Sequence, residues 1–210
     1  MIKIILVTTI ILLGTACSLQ PQTVAPQITA PVSWQQHQQR MTALDEWKLS
    51  GKLGFRSPQQ GGSAALQWTQ EENNYQLLLS GPLGVGSAKI VGDDKTAEML
   101  YRDTVYHQPP QQLAMRLTGV PLPVDALSWW VRGLPSPNQP AATDLANAAD
   151  GLAIGFEQAG WQLSFSRYRQ TAAGPLPGKI AGSLSAPNAA EDSRYSFKLI
   201  ISRWNFLKEE

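Results

Sequence analysis

The 210-residue chain carries 17 Lys and Arg against 16 Asp and Glu, a net charge of +1 with neutral histidines, and 43% of its residues are hydrophobic. This balance, unbroken by any local basic cluster, offers no electrostatic footprint for DNA, RNA or anionic lipid, while the length and apolar content suit one domain with a sizeable core. A single cysteine excludes an intramolecular disulfide and any metal site built on two thiolates.

The chain opens with Lys3, an apolar run from Ile4 to Leu13, and the small residues Gly14, Thr15 and Ala16 leading into Cys17. That order of charge, apolar stretch and small residues predicts a secretory signal over residues 1–16, and a run of about ten residues is too short for the ~20 of a transmembrane helix. The stretch Leu12-Leu13-Gly14-Thr15-Ala16-Cys17 resembles the bacterial lipobox, with Gly14 where leucine is usual, so Cys17 is the expected lipid-attachment residue. An aspartate after that cysteine is the inner-membrane retention signal of enterobacteria; by resemblance to that system, Ser18 implies the outer membrane. Residues 17–32 are rich in Gln, Pro, Thr and Ala and read as a flexible tether, leaving residues 33–210 for the folded domain.

Ser33 is a suitable N-cap for a helix running to about Glu46, with Trp34, Met41 and Leu44 among glutamines. From Trp47 the period changes to two. Trp47, Leu49, Gly51, Leu53 and Phe55 alternate with polar or small residues, predicting a half-buried strand, and a turn follows at residues 57–62. Ala64, Leu66 and Trp68 continue the alternation; residues 71–74 turn the chain; Tyr75, Leu77 and Leu79 begin a third strand of an antiparallel meander. Further strands are predicted over residues 87–91, 96–101, 104–107, 152–157, 161–169, 178–185 and 195–206. Between the two groups of strands, Pro109-Pro110 and Gly119 bracket a short helix. A second follows Pro123, where Val124, Leu127, Trp130, Val131 and Leu134 recur at helical steps before Gly133 and Pro135. Residues 141–150 are polar and alanine-rich and read as a loop.

Catalytic chemistry is not visible in this sequence. His37 and His107 have no acidic or cysteine neighbour at ligand spacing and are expected at the surface, with no metal site. No nucleophile elbow or phosphate-binding loop occurs, so neither an enzyme nor a nucleotide-binding protein is expected. Paired carboxylates such as Glu71-Glu72 and Asp93-Asp94 fall in predicted turns. Tryptophan is abundant: all seven lie beyond the leader, and Trp129 and Trp130 must face different sides of their helix. Leu83 and Val85 are apolar residues in the loop Ser80-Gly81-Pro82-Leu83-Gly84-Val85-Gly86, which is expected to be exposed. Leu83 either folds back on the core or serves as a wedge into a membrane or partner.

Taken in order, Trp34-Gln35-Gln36-His37-Gln38-Gln39, Tyr75-Gln76-Leu77-Leu78-Leu79-Ser80-Gly81-Pro82-Leu83-Gly84, Leu117-Thr118-Gly119-Val120-Pro121-Leu122-Pro123 and Leu127-Ser128-Trp129-Trp130-Val131-Arg132-Gly133-Leu134-Pro135 resemble the LolB family of outer-membrane lipoproteins. The resemblance implies a mainly β fold, an incomplete antiparallel β-barrel with short helices covering an apolar cavity. It also implies a function: accepting triacylated lipoproteins from a LolA-like periplasmic carrier and inserting them into the outer membrane. Phe55, Leu66, Trp68, Leu77, Leu79, Leu117, Leu127 and Trp130 are the residues expected to line the acyl-chain cavity. Gly81, Pro82, Leu83 and Gly84 are expected to form the membrane-insertion loop, with Leu83 matching the family's exposed leucine. A monomer is expected, with no cofactor beyond the covalent lipid on Cys17. The competing expectation is a scaffold lipoprotein of an outer-membrane assembly complex, which would bind protein and not free acyl chains.

Overall fold

The computed structural model describes residues 33–81, 86–185 and 194–206; the expected leader, Cys17, the tether, and Pro82, Leu83 and Gly84 lie outside the described residues. Ser33 caps the first helix, α1 (Trp34–Thr42), its hydroxyl accepting the Gln36 N–H at 3.2 Å. The helix stops at Thr42, short of the predicted Glu46, because Glu46 already pairs with Glu71 in the sheet. His37 and Met41 form its buried side, so His37 is a core residue and not the surface residue expected.

The first meander comprises β1 (Glu46–Arg56), β2 (Gly61–Glu71), β3 (Asn74–Ser80), β4 (Ala88–Gly92), β5 (Ala97–Tyr101) and β6 (Thr104–Gln108). Alternation along these strands buries Trp47, Leu49, Leu66, Trp68, Tyr75, Leu79, Ile90 and Met99 on one face. Two helices follow, α2 (Pro110–Thr118) and α3 (Val124–Trp130). Pro110 opens α2, and Gly119, with φ 69°, closes it in the left-handed conformation. The second half contains β7 (Thr143–Asn147), β8 (Ala153–Gln158), β9 (Trp161–Ser166), a small ribbon of β10 (Arg169–Thr171) and β11 (Gly174–Leu176), then β12 (Lys179–Ser185) and β13 (Arg194–Phe206).

Among the described residues, all strands but the ribbon join one antiparallel sheet of 11 strands in the order β6-β5-β4-β3-β2-β1-β13-β12-β9-β8-β7. Two departures from the sequence pattern stand out. β7 falls where a loop was expected; all five of its residues are exposed, so this edge strand has no apolar half to alternate. The predicted strand over 161–169 breaks at Ser166 because Arg167 adopts φ 58°, which turns the chain into β10.

The pairing of β1 with β13 unites the two meanders. Its register shifts at Ser50/Gly51, where Ser202 is the extra residue and its hydroxyl donates to the Ser50 carbonyl at 2.9 Å. Such a bulge bends a strand and increases local twist. Gly51 permits the close approach, since a Cβ there would stand 2.3 Å from the Ile200 carbonyl oxygen. The sheet is curved and open, and β6 and β7 are its two edges. The segment joining those edges must cross the sheet's whole width, and α2 and α3 lie on that segment, which buries Leu113, Val120, Leu122 and Trp130 against the apolar face.

Candidate functional site: an apolar cavity beneath the helical cover

Between the sheet and its helical cover lies a cavity of about 70 Å³ with an almost wholly apolar wall. Leu66 and Trp68 on β2 face Leu79 and Leu77, their register partners on β3, and all four line it. Leu117 of α2 and Leu127 and Trp130 of α3 form the cover side. Phe55 is placed elsewhere: its ring lies over Gly62, its partner across the β1–β2 pair, in a separate surface depression. Gly81 is half-buried just beyond β3.

The far wall comes from residues that the sequence placed in strands but not in the cavity, namely Ile180 on β12 and Phe197 and Leu199 on β13. They obey the same alternation. Only the pairing of β13 with β1 and β12 turns them toward Trp68 and Leu53. Gly182 lets the Phe197 ring lie flat on the sheet, for a Cβ there would come within 2.3 Å of the ring. Phe197 then stacks parallel to Trp130, with ring centroids 6.4 Å apart and planes 3° apart.

Trp130 is fully buried, and its indole N–H donates to Gln158 Oε1 at 2.9 Å. The same oxygen accepts the Ser136 N–H, and the Gln158 amide donates to the carbonyls of Ser136 and Pro140. Gln158 therefore locks the end of the helical cover to β8, a role hidden in the sequence because a glutamine before a turn reads as solvated. Trp129, on the other side of α3, is half-buried, with the Arg132 guanidinium 4.4 Å from its ring centre. Arg132 also donates to the carbonyls of Met41 and Leu44 at 2.6 and 2.7 Å and to that of Ser128 at 2.9 Å. It thus caps the end of α1 and joins it to α3. Burial pulls its pKa down to about 10, which leaves it charged at neutral pH.

A polar cleft of about 250 Å³ adjoins the cavity and shares Trp68, Tyr75 and Val124 with it. Asp45, Glu72, Asp94 and Asp125 line it together with Arg132. A third recess, an open groove of about 680 Å³, lies on the other side of α2 against Trp161 and Leu184. Trp161 touches Phe197, with centroids 5.4 Å apart, so this ring pair stands between groove and cavity. Among the described residues, no group of His, Cys, Asp and Glu is arranged to hold a metal ion, and His107 is exposed beside Glu98, with Nδ1 to Oε2 at 3.6 Å.

A family model described as outer membrane lipoprotein LolB matches residues 45–204. The chain is 42% identical over 159 residues to an outer-membrane lipoprotein LolB of Cellvibrio japonicus, covering 73% of this chain and 78% of the relative. It is 38% identical over 152 residues to that of Ectopseudomonas mendocina, covering 71% and 74%. Among solved structures, a LolA superfamily protein from Nitrosomonas europaea superimposes with a TM-score of 0.53 at 7% identity, over 85% of this chain and 96% of that one; the likeness is one of fold. With a match to most of its length and relatives above the level at which families diverge beyond recognition, the chain belongs to the LolB family of outer-membrane lipoproteins.

Proposed function

We propose that this protein, anchored through lipid on Cys17, accepts lipoproteins from a LolA-like periplasmic carrier by taking their acyl chains into the cavity, then inserts them into the outer membrane. The observation that carries this is the apolar cavity between the curved sheet and a cover that is a single crossing segment. Exposing three acyl chains of roughly fifteen carbons to water costs on the order of 30 kcal/mol at ~0.8 kcal/mol per CH₂. A shielded site removes most of that barrier. Handover needs neither covalent chemistry nor a cofactor: it runs downhill if each successive site holds the chains more tightly and the bilayer holds them most tightly.

The cavity as it stands, about 70 Å³, is far below the ~300–1,000 Å³ that even a drug-sized ligand occupies, so this is a closed form whose cover must move. α2 suits that motion, because Pro109 gives its start no side-chain cap and Gly119, Pro121 and Pro123 interrupt the path to α3. Swinging it aside would join the cavity to the open groove beside Trp161. The test is binding of a fluorescent fatty acid to the chain from residue 17 onward carrying Cys17→Ala, followed by displacement with a triacylated lipoprotein. Saturable, displaceable binding is expected. Its absence would overturn the proposal in favour of a scaffold lipoprotein that binds only protein.

A further inference from the structure

Among the described residues, four side chains on the cavity wall carry a hydrogen-bond donor: Trp68, Tyr75, Thr118 and Trp130. Three are already engaged. The Trp68 indole donates to Gln70 Oε1 at 3.0 Å, the Trp130 indole to Gln158 Oε1 at 2.9 Å, and the Thr118 hydroxyl to the Ala114 carbonyl at 2.7 Å. Tyr75 is the exception: it is 8% exposed, and its hydroxyl is buried with no hydrogen-bond partner among the described residues. Buried polar groups are almost always paired, so an orphan on the wall of a binding cavity points to a partner that arrives with the ligand. Burial and the nearby charge of Asp93 both push the Tyr75 pKa upward, so the phenol keeps its proton and acts as a donor.

Tyr75 also stands on the boundary, since it belongs to both the apolar cavity and the polar cleft. An acyl chain has one polar group, the carbonyl at its head, and filling the cavity with methylenes brings that carbonyl to this boundary. We propose that the Tyr75 hydroxyl donates a hydrogen bond to an acyl carbonyl of the bound lipoprotein, whose glyceryl-cysteine head and first peptide groups occupy the adjoining cleft. This rests on the acyl-receptor function proposed above and assigns the ligand's polarity within it. The source is the lipoprotein and not a phospholipid, because Asp45, Glu72, Asp94 and Asp125 outnumber the one cation lining the cleft among the described residues, Arg132, whose guanidinium already donates to the Met41, Leu44 and Ser128 carbonyls. These carboxylates repel a phosphate, whereas they can accept hydrogen bonds from peptide N–H groups.

The test compares the chain from residue 17 carrying Cys17→Ala with the same chain carrying Tyr75→Phe as well. The ligands are a triacylated lipopeptide with isotopically labelled ester carbonyls, the hydrocarbon diphenylhexatriene, and soluble short-chain phosphatidylglycerol. Tyr75→Phe is expected to weaken lipopeptide binding about three- to tenfold, the effect of one hydrogen bond. It should leave diphenylhexatriene affinity unchanged, shift the labelled carbonyl stretch to higher wavenumber, and melt no lower than the parent chain. Unchanged lipopeptide affinity with an unmoved carbonyl band would overturn the proposal. So would a parallel loss of both the lipopeptide and the hydrocarbon, which would make Tyr75 structural. Phosphatidylglycerol binding as tightly as the lipopeptide would overturn the assignment of the head. Failure of the parent chain to bind either lipopeptide or hydrocarbon would instead sink the receptor function itself.

Discussion

Replacing Gln158 with leucine keeps the side chain's bulk and removes four hydrogen bonds: those from the Trp130 indole and the Ser136 N–H, and those to the carbonyls of Ser136 and Pro140. Trp130, Ser136 and Gln158 are 0%, 3% and 2% exposed, so the orphaned groups on Trp130 and Ser136 have no route to water, whereas exposed Pro140 does. Each buried orphan costs about 1–3 kcal/mol, and the leucine recovers part of the loss through its own burial, which leaves a net destabilisation of about 3–5 kcal/mol. For a domain of this size that lowers the melting temperature by roughly 10 °C. Urea unfolding of the parent and variant measures the difference directly. A double-mutant cycle with Trp130→Phe should give a coupling energy of about 1 kcal/mol or more. A loss under about 1 kcal/mol, or additive behaviour in the cycle, would refute the idea that this amide holds the cover to β8.

Arg132→Met removes the charged donor from the Met41, Leu44 and Ser128 carbonyls and should cost about 2–4 kcal/mol in thermal unfolding; Arg132→Lys, lacking the planar fork, should recover less than half. His37 is buried against Trp34 and Tyr168 with neither ring nitrogen hydrogen-bonded at close range among the described residues, and burial, opposed by the nearby Arg132 backbone and aided by the charge of Arg40, lowers its pKa below the ordinary 6.5. The unfolded chain therefore binds the proton first, so stability is full above pH ~6.5 and declines by up to about 1.4 kcal/mol per pH unit as pH falls toward the folded pKa. Denaturant midpoints measured between pH 7.5 and 5 should show this slope, and His37→Phe should flatten it; an unchanged slope in the variant would assign it to other groups. Leu83→Glu should leave lipoprotein loading intact and block its release into liposomes, and normal insertion by that variant would defeat the wedge role inferred for Leu83.

Much of the architecture was legible locally. The period-two runs around Trp47, Trp68, Tyr75 and Trp161 marked strands, and Pro110, Gly119 and Gly133 bracketed the helical insert, because backbone conformation and side-chain alternation are decided within a few residues. Where local signals were absent, reading along the chain failed. The exposed edge strand Thr143–Asn147 had no alternation to display, and His37 looked solvated among glutamines although it is 1% exposed. The cavity wall was half visible: Leu66, Leu77 and Trp130 could be named, yet Phe197 and Ile180 could not be set opposite them, and Phe55 went to a neighbouring depression.

The sequence by itself determined which segments extend, which coil and which faces are apolar, together with the expectation that Cys17 carries lipid. Only the tertiary structure decided that β13 lies beside β1, that the segment from β6 to β7 crosses the apolar face, and that Gln158 and Arg132 fasten the helical cover. Pairings between residues more than a hundred positions apart depend on how whole faces bury one another. A polar side chain such as Tyr75 gains its meaning only once its surroundings have taken every other donor on the cavity wall.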